Sequence, residues 1–183
     1  MLVLQVEEIK KKPRDIDFTE PAAMFPALHD AEEAGECVFV APVTGQLRAS
    51  WEYDHVRVAG EVHARVRLSC ARCLVDFEQE MQVSFIVYYS EATPGMATDE
   101  EIELAEQDLL SATYDGSEIN VAREIAEQLL MEMPVKPLCD ERCRGLCNTC
   151  GADLNGEACS CESQDGSLAF SVLKQFNVPR KGE

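Results

Sequence analysis

"EVHARVRLSCARCLVDFEQEMQVSFIVYY", residues 61–89, is the stretch that sets the fold. Val62, Ala64, Val66, Leu68 and Cys70 share one parity, and Glu61, His63, Arg65, Arg67 and Ser69 share the other. Strict alternation places successive side chains on opposite faces of a strand, so one face is dry and the other wet. The pattern resumes with Met81, Val83, Phe85 and Val87. Two such strands around "SCARCLVD" predict a long hairpin with Cys70 and Cys73 at its tip. Placing His63 on the wet face makes it an ordinary surface residue.

Upstream, "MLVLQVEEI" (residues 1–9) alternates and predicts a first strand. Residues 19–30, "TEPAAMFPALHD", are interrupted by two prolines and predict a helical turn or loop. "ECVFVAPVTGQLRA" (36–49) predicts two strand pieces with a bend at the Gly-Gln pair. Downstream, residues 99–108 hold six acidic residues and no basic one, which reads as a solvated loop or short acidic helix. "SATYDGSEINV" (111–121) has room for one more strand. In "NVAREIAEQLLMEMP" (120–134) Val121, Ala122, Ile125, Ala126, Leu129, Leu130 and Met133 form an apolar stripe at helical spacing. Asn120 suits its N-cap and Pro134 its end. "GSLAFSVLKQF" (166–176) predicts a shorter amphipathic helix. The expected fold is α+β: an antiparallel meander of four or five strands packed by one main helix. Residues 1–135 would form this core, and residues 136–183 a cysteine-rich, zinc-binding segment with a short terminal helix, packed on it.

With 183 residues, 46% of them apolar or aromatic, the chain can bury a sizeable core. No apolar run reaches the roughly 20 residues that cross a bilayer, and the charged N-terminus does not resemble a secretory signal; a cytoplasmic protein is expected. Asp and Glu number 34 against 16 Lys and Arg, for a net charge of −18. Proteins that grip a nucleic-acid backbone broadly carry the opposite excess, so a basic partner fits this surface better, with a solubilising surface as the alternative.

Nine cysteines in a reducing compartment point to metal rather than disulfides. Cys37 stands alone in an apolar strand and reads as core. The other eight form four close pairs: Cys70/Cys73, Cys139/Cys143, Cys147/Cys150 and Cys159/Cys161. Four thiolates close a tetrahedron around zinc with no position left for substrate, so four pairs supply two sites without remainder. Loop-closure entropy favours joining Cys147, Cys150, Cys159 and Cys161 locally, with Gly151, Asn155 and Gly156 as turn residues; Cys70 and Cys73 would then meet Cys139 and Cys143. The rival arrangement puts Cys139 through Cys150 on one metal and Cys70, Cys73, Cys159 and Cys161 on the other. "CRGLCNTC" also matches the cysteine spacing of radical-SAM enzymes, whose barrel this chain is too small to hold. A closed iron–sulfur cluster is a further alternative. A redox C-x-x-C lacks its βαβ context here. His29, His55 and His63 are scattered, and neither a nucleophile elbow nor a phosphate-cradling glycine loop occurs. No catalytic residue is assigned, and no small-molecule substrate is expected.

"GEVHARVRLSCARCLVDFEQEM", a helix ending in "MPVKPLC", then "CRGLCNTCGADLN" and "CSC" together resemble the YceD family, the large ribosomal RNA subunit accumulation proteins of bacteria and chloroplasts. The likeness covers roughly residues 36–90 and 115–176. It implies a non-enzymatic role in accumulating 23S ribosomal RNA and assembling the large ribosomal subunit, and a partnership with ribosomal components. Cys70, Cys73, Cys147, Cys150, Cys159 and Cys161 match the family's motifs, and Cys139 and Cys143 match its "PLC…C" portion. The expected partner is a basic ribosomal protein or pre-ribosomal 23S RNA. Arg72, Lys136, Arg142 and Arg144 are the candidate contacts, with compensation of thiolate charge as their alternative role. Two other functions compete: a metal-dependent RNA-processing enzyme, which needs an open coordination position, and a thiol/zinc redox sensor.

Overall fold

The computed structural model of the protein describes residues 2–92, 111–156 and 159–161. It is α+β. A sheet runs in the order β2 (Arg14–Glu20), β4 (Val43–Glu52), β5 (His55–Ser69), β6 (Asp76–Glu91) and β7 (Ser111–Tyr114), with β3 (Val38–Phe39) pairing β5 off this path. The hairpin β5–β6 is its spine, in antiparallel register from Val56↔Tyr89 to Ser69↔Asp76. The parity inferred from the sequence holds along it. Val62, Ala64, Val66, Leu68, Met81, Val83, Phe85 and Val87 are all buried. On the outer face, Arg65 and Arg67 meet Glu80 and Glu78 directly across the strands, at 2.6 and 3.1 Å. His63 is on that face and exposed.

α3 (Ala122–Glu132) packs on β5 and β6 and on α2 (Pro26–Glu33), burying Ile125, Ala126 and Leu129 completely. Leu130 and Met133 are only partly buried against the core. The cap is displaced by one residue from expectation. Val121 occupies the N-cap, and the Asn120 carboxamide oxygen accepts the Ala122 N–H at 3.1 Å. Cys37 is a buried core residue, as its apolar surroundings suggest.

Several elements differ from the sequence reading. Residues 1–9 are not one strand: β1 (Val3–Gln5) gives way to α1 (Val6–Lys11). Val6 and Ile9, three apart, both face the core, and Glu7/Glu8 and Lys10/Lys11 sit at the helix ends whose partial charge they oppose. β1 pairs instead with β8 (Glu118–Asn120) in a separate two-stranded sheet. Residues 14–20 form an edge strand that the sequence reading did not assign. After it, a 3₁₀ turn (Ala22–Met24) leads into α2, which starts on Pro26, where a missing N–H costs nothing.

The Gly45-Gln46 pair does not bend the chain. β4 runs straight through it, and the glycine is a packing residue: a Cβ there would lie 2.7 Å from the Phe18 ring and 2.8 Å from the Glu61 carbonyl oxygen. The final pair, β6–β7, is parallel rather than antiparallel. The acidic run 99–108 and the expected helix 166–176 lie outside the described residues.

Candidate metal centres

The hairpin tip is a compact loop closed by its own backbone. The Cys70 N–H donates to the Val75 carbonyl at 2.9 Å, and the Leu74 N–H donates to the Cys70 carbonyl at 2.9 Å. The Arg72 N–H points at the Cys70 sulfur, 3.4 Å away. Leu74 has to take a left-handed backbone, φ 61°, to complete the turn. Beyond α3 the chain returns to this tip: the Pro137 carbonyl accepts the Ala71 N–H at 2.8 Å. Asp140 then caps a tight turn, taking the Arg142 N–H on its carboxylate at 2.7 Å and the Cys143 N–H on its carbonyl at 3.0 Å. Cys143 thereby comes to 3.8 Å from Cys70, and Cys139 to 3.5 Å from Cys73, measured between sulfurs. Cys70, Cys73 and Cys143 are buried and Cys139 is exposed.

The second centre repeats the loop. The Cys147 N–H donates to the Ala152 carbonyl at 2.8 Å, the Gly151 N–H to the Cys147 carbonyl at 2.9 Å, and the Thr149 N–H approaches the Cys147 sulfur at 3.4 Å. The left-handed position falls on Gly151, φ 74°. Cys159 closes the group at 3.3 Å from Cys147 and 3.5 Å from Cys150, and its own sulfur faces the Cys161 N–H at 3.4 Å. Here Cys150 and Cys161 are exposed, with Cys147 and Cys159 intermediate. In each quartet all four sulfurs lie within 4.8 Å of one another. Of the two pairings the sequence allows, the geometry takes the local one.

The two loops are tied together. The Leu146 N–H donates to the Arg72 carbonyl at 3.1 Å, and the Leu154 N–H to the Gly145 carbonyl at 2.9 Å. Asn155 does more than turn the chain. Its side-chain N–H₂ reaches the Cys143 sulfur at 3.4 Å, while its oxygen accepts the Arg144 N–H at 2.8 Å. The sequence signalled only the turn, because a hydrogen bond to a sulfur twelve residues away leaves no local pattern.

These donor sets fit a tetrahedral thiophilic ion. With metal–sulfur bonds of about 2.3 Å, the tetrahedron's edge is about 3.8 Å; four sulfur pairs stand 3.3–3.8 Å apart and the rest within 4.8 Å. N–H donors aimed at the sulfurs support thiolate charge. The backbone N–H of Cys139, helped by those of Cys73 and Arg72, draws the Cys70 thiol down to about 6 against the opposing effect of burial. The N–H groups of Cys150 and Thr149 draw Cys147 down to about 6. Conversely the Cys73 sulfur pushes Cys139 up to about 12, and the Cys159 sulfur pushes Cys161 up to about 12. Each quartet thus pairs a sulfur drawn toward the thiolate with one held as the thiol, and a cation among them would favour the charged form of both.

Of the four basic candidates, Arg72 spends its guanidinium on the Cys143 and Glu141 carbonyls at 2.7 and 3.3 Å, and Arg144 donates to the Asn155 carbonyl at 3.1 Å. Both brace the cysteine loops. Arg142 lines a groove beside the first centre, and Lys136 is exposed on the approach to Cys139.

A sheet-and-helix core carrying paired four-cysteine centres, one of them straddling the hairpin tip, defines a class of small cysteine-clustered α+β proteins. Within it, the chain belongs to the family described as large ribosomal RNA subunit accumulation protein YceD, whose model matches residues 58–177. An uncharacterized protein of Mycobacterium leprae is 32% identical over 114 residues, 62% of this chain and 50% of that protein. One of Mycobacterium tuberculosis is 33% identical over 111 residues, 61% of this chain and 51% of the relative. The chloroplastic large ribosomal RNA subunit accumulation protein YCED homolog 1 of Zea mays is 23% identical over 146 residues, 68% of this chain and 50% of that protein. The chain spans about half the length of these curated relatives. No solved structure matches it.

Proposed function

We propose that the protein is a non-enzymatic factor in large ribosomal subunit assembly, supporting accumulation of 23S RNA, with two structural zinc centres. The observation that carries this reading is that the family match takes in all eight clustered cysteines, residues 70–161 within 58–177, while plant relatives are named for large ribosomal RNA subunit accumulation. Zinc suits an all-thiolate tetrahedron, and four sulfurs per ion leave no coordination position for substrate. That supports a scaffold over a hydrolase.

The partner that fits is a cationic ribosomal protein. The net charge of −18 repels phosphate, and Arg65 and Arg67 of β5 are neutralised across the sheet by Glu80 and Glu78. Among the described residues no helix is long and apolar enough to cross a membrane, in keeping with a cytoplasmic site of action.

Depleting the protein from growing cells should lower the ratio of large- to small-subunit ribosomal RNA, with recovery on re-expression. An unchanged ratio would overturn the assembly role. Elemental analysis of protein purified without chelators should find two zinc ions per chain. Another metal, or none, would overturn the zinc assignment.

A further inference from the structure

The two cysteine loops share their backbone hydrogen bonds and differ at the left-handed position. Gly151 fills it in the second loop at no steric cost. In the first it is Leu74, φ 61°, a conformation that penalises any residue with a Cβ. The side chain gets little packing in return, since it is 69% exposed. Its neighbour Val75 is 52% exposed, and Val135, two residues before the carbonyl that Ala71 bonds, is fully exposed. A strained backbone that presents an apolar side chain to water is a feature that folding alone does not call for.

The surroundings indicate what would cover it. Val75 lines a groove of about 360 Å³ with Cys73, Cys139, Asp140, Arg142 and Asp153. A divalent ion on four thiolates leaves that wall with a charge of about −2, and two carboxylates against one guanidinium add to it. RNA phosphate is disfavoured there, and a cationic polypeptide with an apolar anchor is favoured. The geometry points to Leu74, with Val75 beside it, as the anchor of a docking surface for a cationic ribosomal protein. This rests on the assembly role proposed above and assigns the surface that serves it.

Leu74→Gly separates docking from folding, because glycine at this position is what the second loop already uses. The probe is an RNA-free mixture of purified large-subunit ribosomal proteins, captured on the immobilised protein and quantified protein by protein. The parent should retain one or a few cationic members, and Leu74→Gly should retain them about tenfold less, as for loss of an interface anchor. The variant's melting temperature should be equal or higher and its metal content unchanged. Val38→Thr, a comparably exposed apolar site on β3, should capture like the parent. Equal capture by Leu74→Gly overturns the proposal. So does a fall in its stability or metal content, which would make Leu74 structural. Failure of the parent to capture any member, or binding to naked ribosomal RNA that Leu74→Gly weakens instead, also overturns it. If depletion lowers the RNA ratio while Leu74→Gly captures normally, only the docking surface falls. If depletion leaves the ratio unchanged, the assembly role falls with it.

Discussion

The two cysteine centres are built on one local design and placed under opposite conditions. The first joins sulfurs 66 and 73 residues apart and buries three of its four cysteines. The second spans residues 147–161 and buries none. Closing a 66-residue loop costs about 2 kcal/mol more chain entropy than closing a 9-residue one, so an ion at the first centre would remove far more freedom from the unfolded chain. The first quartet ties the hairpin tip to the loop beyond α3, and the second gathers its own loop.

Removing one ligand from each centre is the hardest test of that contrast. Cys143→Ala should drop the melting temperature by about 10 °C and cut bound metal to one ion per chain. Cys150→Ala should also lose one ion, yet shift the melting temperature by only a few degrees. Comparable losses in the two variants would erase the distinction.

Acid gives a second, smaller separation. Thiols such as Cys139 and Cys161, held up to about 12 in the metal-free protein, must give up their protons to bind a cation. Protons and metal therefore compete, and metal-dependent stability is present at neutral pH and lost as pH falls. Cys70 and Cys147 hold their charge down to about 6 without metal, and a bound cation moves release to more acid pH still. A zinc-sensitive dye followed through a pH titration should show two steps, the exposed second centre emptying first. A single step would mean that burial does not protect the first.

The smallest effects come from glycines. Gly145 has φ 75°, and a Cβ there would lie 2.9 Å from the Arg72 carbonyl, at the junction between the centres. Gly151 is equally left-handed but faces open space. Gly145→Ala should cost about 2 kcal/mol and Gly151→Ala about 1 kcal/mol by denaturant melts. Reversal of that order would remove the close approach as its cause.

What was legible in the sequence follows the same division between local and distant causes. Period-two runs exposed β5 and β6, and paired cysteines announced the ligands, because both signals lie within a few residues. Ile16 and Phe18 alternate on β2, but a short edge strand behind Pro13 carries little pattern to set against its charged neighbours. Gly45 reads as a bend unless Phe18 is known to press on it. Val6 and Ile9 satisfy helix spacing inside a run that also alternates, and only packing decides between them. The turn after Cys150 is announced by Gly151, whereas Leu74 conceals the same turn after Cys73.

The 70-residue interval from Cys73 to Cys143 also has a consequence in time. At about 5–20 residues per second, a ribosome completes the hairpin tip roughly 4–14 seconds before it delivers the last sulfur of that quartet. Through that wait the nascent chain holds Cys70 and Cys73 without the other two sulfurs of their quartet. Once Cys143 emerges, an ion on the quartet would join the hairpin tip to the loop that follows α3. The clasp can therefore close only after the whole of β6 and α3 has been made.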